Sequence, residues 1–238
     1  MKKTIVLIPF YNESRNVNVI EKLIKHHKNL QMEVKYVFCN DNSSDDTEEL
    51  LLKLLIKNSS NYEIIRNEQN LGHGGSLLKL SSNEFISEYE NVLTLDFDFC
   101  YKLEDLNSFY NEVDDNTIVI GKRKFFDEGI FRQIITSVSE LTVILKTRSI
   151  FQDANCPVRI YPTKIFLEVW NNVPNNALTP NIISTIISLK KNYKIKRIIL
   201  NKSSFSHPES ITWGSNYFLK KIKIMKFSFK SFSQVVKF

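Results

Sequence analysis

"NVLTLDFDFC", residues 91–100, decides how the chain is read. Its apolar start suits a buried strand, and it closes on two carboxylates, Asp96 and Asp98, one residue apart. In a strand, residues i and i+2 share a face, so both acids aim at one spot. At roughly 5–7 Å two such charges repel by about 2–3 kcal/mol at an effective dielectric of ~20. Proton sharing could relieve that cost, and so could a divalent cation. Mg2+ or Mn2+ takes one or two protein carboxylates and fills its sphere with phosphate oxygens and water. A metal–diphosphate complex therefore explains the pair; the plain alternative is one acid in solvent and the other capping a turn. An isolated D-x-D favours the plain reading, so its position in the fold has to decide.

Working outward, strand-like runs appear at Thr4–Pro9, Lys35–Cys39, Glu63–Arg66 and Thr117–Ile120, with Asn91–Leu95 between the last two. Val19, Ile20, Leu23 and Ile24 repeat at helical spacing, as do Leu50, Leu51, Leu54 and Leu55 behind Ser44, Asp45 and Asp46 as a start signal. Strand alternating with helix predicts an α/β domain with a mostly parallel sheet covered by helices on both faces. Further helices are expected over about 128–147, 163–170 and 181–191, and a strand over Lys194–Leu200. The expected organisation is one domain over residues 1–213, with halves 1–120 and 121–213, followed by a basic amphipathic helix over 214–238.

In an open parallel sheet, ligands sit beyond the carboxyl ends of the strands. Four polar clusters fall there: "PFYNES" from Pro9, "NDNSSDDT" from Asn40, "NLGHGGS" from Asn70, and the acidic pair. Their convergence on one rim turns the odds toward a ligand site. "NLGHGGS" offers backbone amides and a helix start at Ser76, a cradle for phosphate or ribose or else a simple turn. Asp41 could meet a base or ribose, while Ser44–Thr47 also makes an ordinary helix cap. Tyr11 could stack on a base or pack on the surface. "GKRKFF" from Gly121, and Arg132, supply cations after the fifth strand. Asp153, in "QDANCPVRIY", is either a general base or the structural partner of nearby Arg159. His207, before Pro208, reads as a loop residue or a late metal ligand.

The composition, 42% apolar and 24% charged over 238 residues, is that of an ordinary globular protein. Three cysteines without a CxxC pair suit a reducing compartment. The apolar start of seven residues contains Pro9 and runs into Tyr11-Asn12-Glu13, so it reads as a first strand rather than a leader. A cytoplasmic protein, peripheral on a membrane at most, is expected. The net charge of +6 resides in the tail: six lysines and no acid follow Glu209, leaving residues 1–209 balanced. There Phe218, Ile222, Met225, Phe229, Phe232 and Val236 form one stripe at helical spacing. The stripe packs on the domain, dimerises, or lies on an anionic membrane. Nucleic acid is not an expected partner, because the tail lacks arginine and its aromatics follow the stripe.

Taken in order, the motifs resemble glycosyltransferase family 2, inverting enzymes of GT-A fold that use nucleotide-activated sugars. "IPFYNES" is similar to the family's P-x-Y-N-E, and "CNDNSSDDT" to V-D-D-G-S-x-D-x-T with Asn40 and Asn42 replacing an Asp and the Gly. "NLGHGGS" resembles N-x-G-x-[GA] and "LDFDF" the D-x-D. "GKRKFF" followed by "DANCPVRIY" resembles the polyprenyl-phosphate branch, which includes dolichyl-phosphate mannosyltransferase. The resemblance covers about residues 4–161. It implies that Pro9, Tyr11, Glu13 and Asp41 hold base and ribose and that Asn70 and Gly72 border the nucleotide. It further implies Asp98 as main metal ligand, with Asp96 near ribose or metal, for Mg2+ or Mn2+. Arg123 and Arg132 would face the diphosphate or an acceptor phosphate, with Asp153 on the acceptor side as base or orienter. The implied reaction moves sugar from a nucleoside diphosphate to a polyprenyl phosphate or a saccharide.

Two departures weigh against a full transfer of roles. Cys100 stands where that branch often carries a polar metal ligand, and "SITWGSN", Ser210–Asn216, lacks the arginine of the acceptor loop. A catalytically silent nucleotide-binding or scaffold subunit is the alternative they support. A sugar-nucleotide pyrophosphorylase is disfavoured, since "PFYNES" is not a glycine-rich basic loop.

Overall fold

The computed structural model describes residues 2–58, 61–124, 130–203 and 217–238, the side chains of 130–135 and 217–225 excepted. Seven strands form one sheet in the order β3-β2-β1-β4-β6-β5-β7. They are β1 (Thr4–Phe10), β2 (Val34–Asn40), β3 (Asn61–Arg66), β4 (Asn91–Thr94), β5 (Thr117–Arg123), β6 (Arg159–Pro162) and β7 (Lys194–Leu200). β1 pairs in parallel with both β2 and β4, β2 with β3, and β5 with β7. β6 alone runs the other way, antiparallel to β4 and β5.

Central strands read as solid apolar runs because both faces are covered. All seven residues of β1 are buried, whereas β3 and β7, at the two edges, are mostly half-exposed. The helices are α1 (Val17–Asn29), α2 (Thr47–Asn58), α3 (Gly72–Ser81), α4 (Asp105–Glu112), α5 (Ile130–Thr147), α6 (Thr163–Trp170), α7 (Pro180–Lys190) and α8 (Tyr217–Lys237). α3 packs on β1 and β2, α4 on β5, β6 and β7, and α6 on β4 and β6, while α5 layers onto α7 and α8.

The architecture is the expected mostly parallel α/β sheet, with three departures. β6 is a four-residue strand inside what reads as a loop motif. α4 is too polar to show a stripe; only Leu106 and Phe109 are buried in it. α3 begins at Gly72 rather than Ser76, because Gly72 takes the left-handed conformation (φ 75°) that turns the chain straight into the helix.

The tail is helical, as its periodicity requires. Of the stripe's described side chains Phe229 is 75% exposed, Val236 also faces out and Phe232 is half-buried, while Ser231 and Val235 beside them are buried. Gln234 lies on the docked side and brackets the loop before α7: Leu178 N donates to its Oε1 (2.8 Å), and its Nε2 donates to Asn176 O (2.7 Å). Among the described residues no helix is long and apolar enough to cross a membrane.

Candidate active site

The rim lies where the order of strands reverses. The chain runs β1, β2, β3 toward one edge and then returns to place β4 on the other side of β1, which opens a crevice at the carboxyl ends of β1 and β4. The acidic pair sits there, but not inside the strand. β4 ends at Thr94 and residues 96–99 form a turn closed by Phe99 N donating to Asp96 O (3.2 Å). Alternation persists regardless. Leu95, Phe97 and Phe99 are buried while Asp96, Asp98 and Cys100 are only partly covered. Phe97 holds the turn down, with its ring 5.3 Å from Phe10 of β1 and 6.3 Å from Phe38 of β2. The carboxylates thereby remain at the surface of the crevice.

The first two loops are knitted by their own side chains. Asn12 and Asn42 both sit in left-handed backbone (φ 55° and 63°), a region that Asn tolerates better than most residues. Asn42 can therefore stand where the family carries Gly. Asn12 Oδ1 accepts from Ser44 N (2.8 Å), Thr47 Oγ1 from Glu13 N (2.8 Å), and Asp45 Oδ2 from Ser14 N (3.2 Å). Asn40, in place of an acid, accepts from Ser43 N and donates to Glu48. Pro9 is buried in β1, and Tyr11 is half-buried just beyond it.

Glu13 faces the acidic pair. Burial first, and then the charges of Asp98, Asp96 and Asp45, push its carboxyl up to about 7, against a hydrogen bond from Asn16 that pulls it down. Asp41, 3% exposed, spends one oxygen on the third loop: its Oδ1 accepts from Asn67 Nδ2 and Leu71 N, both at 2.8 Å. Asn67 also donates to Ser76 Oγ (2.9 Å), so a buried amide ties β3's exit to α3. Asn70 Oδ1 accepts from Gly72 N (3.1 Å).

The expected site list misses His73. Its Nε2 lies 2.8 Å from Asp96 Oδ1. Its side chain is half-exposed; desolvation works against the charged ring, but Asp96, then Asp98 and Asp41, outweigh it and raise its pKa from the ordinary histidine value. Only its place between Gly72 and Gly74, at the start of a rim loop, could have pointed to it.

Asp153 pairs with Arg123, not with Arg159. It is 2% exposed and sits in left-handed backbone (φ 52°) in the loop entering β6. It accepts from Arg123 N (2.9 Å), Nε (3.0 Å) and Nη2 (2.6 Å). Burial opposes the charge on Arg123, yet the hydrogen bonds and charge of Asp153 raise its pKa further. Arg159 is fully buried and is satisfied by neutral oxygens instead, among them Cys156 O (2.7 Å), Thr185 Oγ1 (2.9 Å) and Ser184 Oγ (3.2 Å). Arg132 lies on α5 with its side chain outside the described residues, as do His207 and the segment Ser210–Asn216 altogether.

A divalent cation fits this rim as a partner shared with a ligand. Among the described residues no three His, Cys, Asp or Glu side chains converge into a protein cage. Two carboxylates are nevertheless what Mg2+ or Mn2+ takes from protein when phosphates complete the sphere. Cys100 adds little, since burial and Asp98 raise its thiol pKa and a hard cation prefers oxygen.

A crevice at the switch point of a mostly parallel sheet, rimmed by the loops that follow β1, β2, β3 and β4, is where open α/β sheets bind their ligands. The family described as Glycosyl transferase family 2 matches residues 5–172. The chain belongs to glycosyltransferase family 2 and is by family a glycosyltransferase. It is 27% identical over 165 residues to the uncharacterised protein MJ0544 of Methanocaldococcus jannaschii, covering 66% of this chain and 70% of that one. It is 25% identical over 229 residues to the undecaprenyl-phosphate 4-deoxy-4-formamido-L-arabinose transferase of Proteus mirabilis, covering 94% of this chain. It spans 66% of that relative's length. In fold it is similar to glucosyl-3-phosphoglycerate synthase of Mycobacterium tuberculosis, solved with Mn2+, UDP and glucosyl-3-phosphoglycerate. That likeness has a TM-score of 0.64 at 12% identity over 99% of this chain and 79% of that one.

Proposed function

We propose that the chain moves a sugar, with inversion, from a nucleoside-diphosphate sugar to an ionised phosphate, that of a polyprenyl carrier in the first instance. The observation that carries this reading is the Asp153–Arg123 pair. A hydroxyl acceptor needs a base to take its proton, and Asp153 has its oxygens committed to a guanidinium. A phosphate acceptor is already ionised and needs a cation instead. Arg123, held by Asp153 and 14% exposed, suits that role through its planar fork.

On the donor side, Asp41 gives one oxygen to the third loop and has a second to offer a base or ribose, with Tyr11 to stack on the base. Asp98 and Asp96 would hold Mg2+ or Mn2+, which neutralises the departing diphosphate. The similar mycobacterial synthase was solved with Mn2+ and UDP, and the Proteus relative is named for an undecaprenyl-phosphate acceptor. Both support the reading. Exposed Phe229 and Val236 of α8, among exposed Lys226, Lys230 and Lys237, suit an anionic membrane surface where such a lipid resides.

The test is a thermal-shift titration with UDP, GDP, dTDP and CDP, each with and without Mn2+. One diphosphate is expected to stabilise the protein only with Mn2+, and Asp98→Ala to abolish the effect. No response to any nucleotide would overturn the donor assignment.

A further inference from the structure

The wall of the crevice opposite the acidic pair is held from outside by the tail helix. α3 opens with Gly72, His73 and Gly74, and the middle of these faces Asp96. Gly74 is buried against the loop preceding α7. A Cβ at Gly74 would lie 2.7 Å from Leu178 O and 2.9 Å from Ala177 O, so the two backbones touch with no room for a side chain. That loop is in turn fixed by Gln234 of α8, whose amide accepts from Leu178 N and donates to Asn176 O. The two hydrogen bonds flank the residues whose carbonyls press on Gly74. Buried Ser231 and Val235 seat the same face of α8.

We propose that Gln234 is a positioning residue for the donor site, acting through the 176–178 loop on the first turn of α3. The proposal rests on the reading of the rim as a donor site. Gln234 touches no ligand itself. Its side-chain amide sets the loop so that the carbonyls of Ala177 and Leu178 back Gly74, and this fixes where Gly72 and His73 meet Asp96 and the diphosphate. Without it the loop is free to retreat, and the turn that faces the acidic pair loses its backing.

The experiment uses the full chain and its Gln234→Ala, Gly74→Ala and double variants. Binding of UDP and of GDP, each with Mn2+, is measured by calorimetry, and backbone hydrogen exchange is followed in the absence of nucleotide. Gln234→Ala is expected to weaken nucleotide binding about tenfold, the net effect of one hydrogen bond. It is also expected to speed exchange at residues 72–76. Gly74→Ala pushes on the same contact from the other side, so the double variant should lose less than the two single losses combined. Ser233→Ala, on the same helix and half-buried, should change neither quantity. Gln234→Glu keeps the acceptor for Leu178 N but sets a carboxylate against Asn176 O, and should fall between wild type and Gln234→Ala. Unaltered exchange at 72–76 in Gln234→Ala overturns the proposal whatever the nucleotides do, as does full additivity in the double variant. Wild-type protein that responds to none of UDP, GDP, dTDP and CDP with Mn2+, while exchange responds as expected, would instead indict the donor-site reading.

Discussion

Replacing Asp153 separates a base from a positioning carboxylate. In Asp153→Ala, Arg123 stays in a largely covered pocket but loses the carboxylate that accepts from its N, Nε and Nη2. Breaking a buried pair from one side costs about 3–5 kcal/mol. The left-handed backbone at position 153 adds about 1 kcal/mol for Ala, which tolerates that region less well than Asp. Asp153→Asn avoids the backbone term and retains an oxygen for Arg123 N, so a loss of about 2 kcal/mol is expected. In a chain of this length the two variants should then melt on the order of 10 °C and 5 °C below wild type. The decisive assay is steady-state transfer from pH 6 to 9 at varied acceptor concentration. A positioning role predicts that Asp153→Asn raises the acceptor KM and leaves the shape of the pH profile intact. Loss of the acidic limb of kcat/KM in Asp153→Asn, with an unchanged melting temperature, would refute the argument.

Two further predictions concern buried titrating groups. Glu13, with its pKa raised to about 7, leaves the native state binding a proton that the unfolded chain gives up near 4.5. Its contribution is whole below that value and lost as pH rises through 7. Glu13→Gln should therefore stabilise the metal-free protein by about 1–2 kcal/mol at pH 8, after discounting for partial solvent screening, and by almost nothing at pH 4.5 in urea denaturation. His27 works with the opposite sign. It is 2% exposed between Tyr36 and Tyr110, both hydroxyls 2.6 Å from its ring nitrogens, and burial followed by His26 lowers its pKa to about 3. Its stabilisation is complete above 6.5 and falls by about 1.4 kcal/mol per pH unit below that. His27→Leu should remove this acid sensitivity, while costing about 2–4 kcal/mol at pH 7 for two stranded hydroxyls.

The central strands were legible because they are buried on both faces and spell themselves as apolar runs; β1 ends within a residue of where the sequence places it. β6 and α4 were not. β6 is too short to carry a period, and α4 shows only two apolar residues to the core. At the site, the four rim clusters follow from strand ends and sheet topology, which depend on local pattern. Partnerships do not. Asp153 has Arg159 six residues away and Arg123 thirty away in sequence, and the strand geometry favours the distant one. His73 and Asp96 meet only because α3 starts a turn earlier than its composition suggests. In the tail, periodicity predicts the helix and says nothing about which side of it the domain covers.

The reversed strand β6 has a consequence for how such a scaffold can change. Since it runs against β4 and β5, the stretch from the exit of β5 to the entry of β6 leaves and rejoins the sheet at one end, like a handle. Everything carried on that handle, α5 and the Asp153 turn included, can lengthen, shorten or be rebuilt without shifting any strand register. The half that carries β1, β2 and β3 enjoys no such freedom, because its three loops are tied to one another. Change on one side of the crevice and constancy on the other would then follow from the direction of a single four-residue strand.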